Sequence, residues 1–157
     1  MDIHRFTEKA QEALASAQTK AARYGHQQVD VEHVLADLLE QEGGLATSLF
    51  NAAQVQTKSL KEHIEQELER IPKVTTPSGA TGQVYVSGRL SRLLMQAEDE
   101  AKKLKDEFIS VEHLLLAMTD DGGPTGRVFK KFGATRERLM HALQEIRGSH
   151  RVTTPNP

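Results

Sequence analysis

Val31–Leu39 reads VEHVLADLL, and Val111–Thr119 reads VEHLLLAMT. The same tripeptide opens both stretches, and the two glutamates stand 80 positions apart. At that offset Thr7 matches Ser87, Leu14 matches Leu94, Ala17 matches Ala97, Ala21 matches Ala101 and Asp30 matches Ser110. Beyond the two runs the offset falls to 79. There Gly43-Gly44 matches Gly122-Gly123, Phe50 matches Phe129 and Leu60 matches Leu139. One deleted residue accounts for the step, so the chain is a tandem duplication.

Within each copy the apolar spacing predicts four helices. The first carries Ala10, Ala13, Leu14, Ala17 and Ala21 behind Thr7, and its mate carries Leu90, Leu93, Leu94, Ala97 and Ala101 behind Ser87. Thr7 and Ser87 are N-cap residue types, as are Asp30 and Ser110 ahead of the two VEH helices. The glycine pairs are expected to stop those helices, as residues that tolerate the left-handed region do. A third helix is expected around Leu49-Phe50 and Val128-Phe129, closed near Gly133. The fourth carries Leu60, Ile64 and Leu68 in one copy and Leu139, Leu143 and Ile146 in the other. The expected fold is all-α: eight helices in two four-helix repeats related by a pseudo-twofold. Repeat 1 spans about 5–71, a Pro/Gly-rich connector 72–86, and repeat 2 about 87–146. A single repeat this rich in alanine would bury little, and two back to back share one core. Residues 147–157, RGSHRVTTPNP, read as the start of a flexible linker without core-building residues.

Composition excludes several function classes. There is no cysteine, hence no disulfide, thiol nucleophile or thiolate metal site. The net charge of −2 gives no long-range pull toward nucleic acid or an anionic membrane. The basic run Arg127, Lys130, Lys131, Arg136 and Arg138 is offset by nearby acids and lacks interleaved aromatics, so it reads as a solvated face. A DNA-binding helical regulator is the weaker reading. No apolar run approaches bilayer length and the start is too polar for a secretory signal, so a cytoplasmic location is expected. No phosphate-binding glycine loop, serine elbow or His-Glu-x-x-His motif occurs, and the seven histidines show no i, i+4 pair. Neither a metal site nor an active site is expected in this chain. Glu32 and Glu112 stand at the second helical position, where a carboxylate faces the positive helix end. A partner's basic groups are the alternative role. His33 and His113 are expected at a helix surface or interface.

The pattern FTEKAQEAL, VDVEHVLADLL, SVEHLLLAM and GATRERL closely resembles the double Clp N-terminal repeat, the first domain of Clp/Hsp100 AAA+ unfoldases. It covers Phe6 to about Ile146. The connector RIPKVTTPSG and the exit RVTTPNP look most like the disaggregase branch. The resemblance implies a domain (1–146) that binds exposed segments of unfolded or aggregated proteins and passes them to its own AAA+ ring. ATP and Mg would belong to modules beyond this chain, as would the middle domain that contacts the Hsp70 system, and no cofactor is expected here. An adaptor-docking domain of a Clp protease unfoldase is the alternative. By the same resemblance, substrate contact falls to Thr7, Asp106 and Glu112, with Leu93 and Leu94 lining an apolar groove. Gln96 and His113 stand where relatives can carry leucine. The internal repeat adds a symmetry mate, Ser87, His26 and Glu32, as a secondary and weaker site.

Overall fold

The computed structural model describes residues 2–41, 43–74 and 84–157. A single 3-10 turn (Ile3–Arg5) precedes α1 (Glu8–Tyr24), β1 (Gln28–Val29), α2 (Val31–Glu40), α3 (Leu45–Ala52) and α4 (Thr57–Arg70). The second copy repeats the order with β2 (Tyr85–Val86), α5 (Gly88–Lys103), α6 (Val111–Met118), α7 (Pro124–Lys131) and α8 (Arg136–Arg147). Among the described residues, eight α-helices in two matched sets agree with the duplication.

The helix starts are set by the residues the repeat pairs. Thr7 Oγ1 accepts from the Ala10 N–H, and Ser87 Oγ accepts from the Leu90 N–H. Asp30 and Ser110 cap α2 and α6. The third residue of each VEH completes the cap: His33 Nδ1 accepts from the Asp30 N–H at 2.8 Å, and His113 Nδ1 from the Ser110 N–H at 2.7 Å. These are capping boxes in which histidine replaces the usual Glu or Gln. The helix-surface alternative expected for both histidines is therefore excluded. Each is fully buried, because a cap this close to the core leaves the ring no path to water.

Two further expectations are corrected. Gly44 and Gly123 begin α3 and α7 as N-caps, and α2 and α6 already end at Gln41 and Thr119. Ile146 is 42% exposed, because α8 turns the next residue, Arg147, inward. The expected connector 72–86 is described only at its ends, and 75–83 lie outside the described residues.

The copies are interlocked rather than merely adjacent. β1 pairs in parallel with β2 (Val29 with Val86), and Phe6 bridges Ile109 in parallel. Each pairing joins the entry to one copy's first helix with the entry to the other copy's second. Helix packing follows the same exchange, with α3 against α8 and α4 against α7. Ala10, Ala13, Ala17 and Ala21 form a fully buried small-residue stripe that lets α1 approach α2 closely. Phe50 and Phe129, mates in the repeat, meet edge to face with centroids 5.6 Å apart. A residue that touches its own mate lies at the pseudo-twofold axis, which places that axis through the core.

Two pairs of left-handed positions follow the duplication, whereas Gly43 (φ 61°) and Gly148 (φ 58°) have no left-handed mate among the described residues. Gly25 (φ 77°) has Lys105 (φ 60°) as its mate, and Gly133 (φ 72°) has Gln54 (φ 60°). Each turn thus carries glycine in one copy and a side chain in the other. Lys105→Gly and Gln54→Gly are each expected to raise stability by about 0.5–1 kcal/mol, because relief of the left-handed penalty outweighs the added unfolded-state entropy. Urea-unfolding midpoints of the two variants check this.

Candidate functional site

The two VEH helices place their glutamates in matched positions, yet the surroundings differ. Glu32 is buried in a closed ionic cluster. Arg89, from the first turn of α5, sets Nη1 3.1 Å from Glu32 Oε1 and Nη2 2.8 Å from Oε2. The same guanidinium reaches Asp121 at 2.7 Å and Asp30 at 3.3 Å. Thr125 Oγ1 donates to Glu32 Oε2 at 2.6 Å, so the carboxylate also sits at the start of α7, where the helix dipole favours it. Burial opposes the charge on Arg89, and the hydrogen bonds it donates to Glu32 and Asp121 overcome that, so its pKa is raised. Both oxygens of Glu32 have partners.

Ser87 and His26, the other members of the expected secondary site, are sealed as well. Ser87 caps α5 and donates to Asp30 Oδ1 at 2.8 Å. His26 stacks on Tyr24 with centroids 5.0 Å apart and meets His33 at 2.8 Å. Because the Asp30 N–H occupies His33 Nδ1, the His33 proton sits on Nε2 and is donated to His26 Nδ1. His26 then carries its own proton on Nε2, a buried atom without a partner among the described residues. Burial, with the neighbouring His26 next in weight, pushes His33 down to about 4, and burial lowers His26 too. The pair is neutral in the folded chain at pH 7.

That pair fixes the sign of a pH effect. Below about pH 6.5 the unfolded chain takes up a proton on His33 that the folded chain refuses until about pH 4, and the lowered His26 acts in the same direction, so stability falls as pH drops through that window. A loss on the order of 2 kcal/mol is expected between pH 7 and pH 4.5. Urea unfolding at the two pH values checks it, and an unchanged midpoint contradicts a neutral pair.

In the second copy Asp106 stands where His26 stands in the first. His113 Nε2 donates to Asp106 Oδ2 at 2.7 Å. Arg147, from the last turn of α8, places Nη2 2.9 and 2.8 Å from the two Asp106 oxygens and Nη1 3.1 Å from Glu112 Oε2. The Val152 N–H adds a bond to Asp106 Oδ1 at 2.9 Å. Burial would raise the Asp106 pKa, but these donors (Val152, Arg147 and His113) together lower it below the usual carboxylate range. With its side chain at 0% exposure, Asp106 has its oxygens taken by Arg147, His113 and the Val152 N–H while the exit segment is docked. It positions Arg147 and the exit segment.

Glu112 differs from Glu32 in one respect that decides the comparison. Arg147 binds Oε2 only, and Oε1 is buried with no partner among the described residues. The mate of Arg89 is Lys9, whose ammonium lies 3.4 Å from Glu12 instead. The mate of Thr125 is Ala46, which has no hydroxyl. A cavity of about 360 Å³ opens at this glutamate, lined by Thr7, Glu112, Val111, Leu45 and the exit residues Val152 and Pro157. The lining also carries Lys9, Arg147 and Arg151, so the spare Glu112 oxygen lies among positive charge and its chemistry suits a neutral donor such as an amide N–H rather than a cation.

Thr7 and Glu112 are therefore brought together, with Asp106 behind them. Leu93 and Leu94 are not part of that lining: Leu93 is buried in the core and Leu94 half-buried against it. Leu93 and Gln96 line a separate cavity of about 240 Å³ beside Arg89. His113 is sealed inside and lines neither. The exit segment also departs from expectation. Val152 is 5% exposed, its carbonyl accepts from the Glu107 N–H at 2.8 Å, and the Pro155 carbonyl accepts from the Glu8 N–H at 2.7 Å. Residues 149–157 lie on the domain, because an extended chain can dock through main-chain groups with one apolar anchor and no helical periodicity.

Among the basic residues read as a solvated face, Arg136 is tied to the buried Glu100 at 2.6 and 2.7 Å. The described residues contain no group of three or more metal-ligating side chains and no helix long and apolar enough to cross a membrane.

Comparison with known proteins matches this architecture. The Clp repeat (R) N-terminal domain family model matches residues 5–132. A chaperone protein ClpB of Nitratidesulfovibrio vulgaris is 43% identical over 159 aligned positions, covering 100% of this chain and 18% of the relative. The ClpB of Bacillus anthracis is 41% identical over 157 positions with the same coverages. The chain thus spans about a fifth of the length of these relatives. Among solved structures, the Hsp104 N-terminal domain of Candida albicans superposes with a TM-score of 0.80 at 21% identity, covering 96% of each chain. The N-terminal domain of the ClpV1 ATPase from E. coli gives 0.77 at 20% identity, covering 99% of this chain and 91% of that one. The duplicated helices, the family match across most of their length and the shared fold lead to one assignment: the chain belongs to the Clp repeat N-terminal domain family.

Proposed function

We propose that this domain captures exposed, extended segments of unfolded or aggregated proteins at the Glu112 cavity, as the client-engaging module of an AAA+ disaggregase. The observation that carries this reading is the asymmetry between the matched glutamates. Glu32 is consumed by Arg89 and Thr125, whereas Glu112 keeps one buried acceptor oxygen beside an open cavity. A buried acceptor without a partner costs free energy, and a ligand donor recovers it. Apolar contacts from Leu45, Val111 and Val152, with exposed polar side chains that can adjust around them, suit a site that must accept many sequences. Delivery to a hexameric ring, ATP and Mg in that ring, and contact with an Hsp70 system through a middle domain extend the reading to a longer protein of the kind the relatives represent.

The test is fluorescence anisotropy with a labelled, permanently unfolded probe, reduced and carboxymethylated α-lactalbumin. Saturable binding that is weakened by Glu112→Ala and unaffected by a remote substitution such as Met95→Ala supports the site. Equal binding by all three chains rejects it.

A further inference from the structure

The exit segment is held almost entirely by main-chain groups. The Val152 N–H donates to Asp106, the Val152 carbonyl accepts from Glu107, and the Pro155 carbonyl accepts from the Glu8 N–H in the first turn of α1. Val152 is the one apolar side chain that this segment buries. Along the same path, His150, Val152 and Pro157 wall the cavity whose other side is Thr7 and Glu112. The unpartnered Glu112 Oε1 thus belongs to a residue lining a cavity walled by the exit segment, which is held there largely through main-chain groups.

We propose that Ser149–Pro157 is an internal strap that closes the Glu112 site and is displaced when an extended client segment enters. This rests on the client-binding reading above. Main-chain hydrogen bonds to Glu8 and Glu107 are bonds that any extended client can reproduce, so strap and client compete for the same groups. A single apolar anchor keeps the strap's hold modest, which lets competition occur. The competent fraction of the free domain is reduced by the closed fraction, and the apparent affinity falls with it. The strap therefore sets how readily the site opens.

The decisive measurement uses the unmodified chain. Backbone ¹⁵N relaxation is recorded on Arg151, Val152, Thr153 and Asn156 with and without the unfolded α-lactalbumin probe. Rigid tail amides in the free chain that become mobile in the saturated complex support the strap. Tail amides that stay rigid while Glu112 and Thr7 resonances shift overturn the strap and leave the site reading intact. Probe binding with Glu112 silent overturns both. In parallel, a chain ending at Ser149 and the full chain carrying Val152→Asp are each expected to bind the probe at least about threefold tighter. Equal or weaker binding by both folded variants also overturns the strap.

Discussion

Arg89→Ala is expected to lower stability by about 3–5 kcal/mol, the range for removing one partner of a buried ionic cluster. Without the guanidinium, Asp30, Glu32 and Asp121 face one another, and the last two are almost wholly buried. Thr125 alone cannot neutralise three carboxylates. For a domain of this size the loss corresponds to a melting temperature lower by about 6–20 °C. Glu32→Ala is expected to follow the same direction, since it removes the two bonds from Arg89 and the acceptor for Thr125 at the start of α7. Thermal unfolding by circular dichroism measures both.

Glu112→Ala is expected to behave in the opposite manner. Arg147 keeps both bonds to Asp106, so the fold loses a single contact, and the change in stability stays within about 1 kcal/mol. Client binding is expected to drop at least about tenfold, the worth of one charge-assisted hydrogen bond in a desolvated site. The matched substitutions thus separate: the first-copy glutamate is read in stability and the second-copy glutamate in binding. Asp106→Ala does not isolate a client contact, because it releases Arg147, His113 and Val152 together.

The fold was legible because duplication repeats its own signals. Thr7 and Ser87, and Asp30 and Ser110, are each weak evidence of a helix start, and at a constant offset they confirm one another. The role of the VEH histidine was hidden because a capping box is ordinarily closed by Glu or Gln, and an imidazole at that position has no distinctive spacing. The site was less legible for a related reason. Its decisive residues are those the repeat does not repeat: Arg89 opposite Lys9, Asp106 opposite His26, Thr125 opposite Ala46, and Arg147 opposite Leu68. A search for matches passes over Arg89, Thr125 and Arg147; comparing the copies for changed charge picks out Asp106 against His26 and Arg147 against Leu68, but neither Arg89 against Lys9 nor Thr125 against Ala46. Leu93 illustrates the converse, since its apolar character suits a groove and a core equally, and packing against α6 decides for the core. The docking of the exit segment left no pattern at all, because Val152 is a lone apolar residue in a Pro-rich run.

Divergence of the two copies is thus the central claim: both glutamates are paired to an arginine, but Glu32 has partners on both oxygens and Glu112 keeps one buried oxygen unpartnered, which we propose a ligand can use. A titration of the ¹⁵N-labelled chain with the unfolded α-lactalbumin probe tests it most directly. Chemical-shift changes are predicted to centre on Thr7, Glu112 and the Val152–Pro157 segment, with Glu32, His26 and Ser87 silent. Changes centred on Glu32, His26 and Ser87, with Glu112 unmoved, would contradict it.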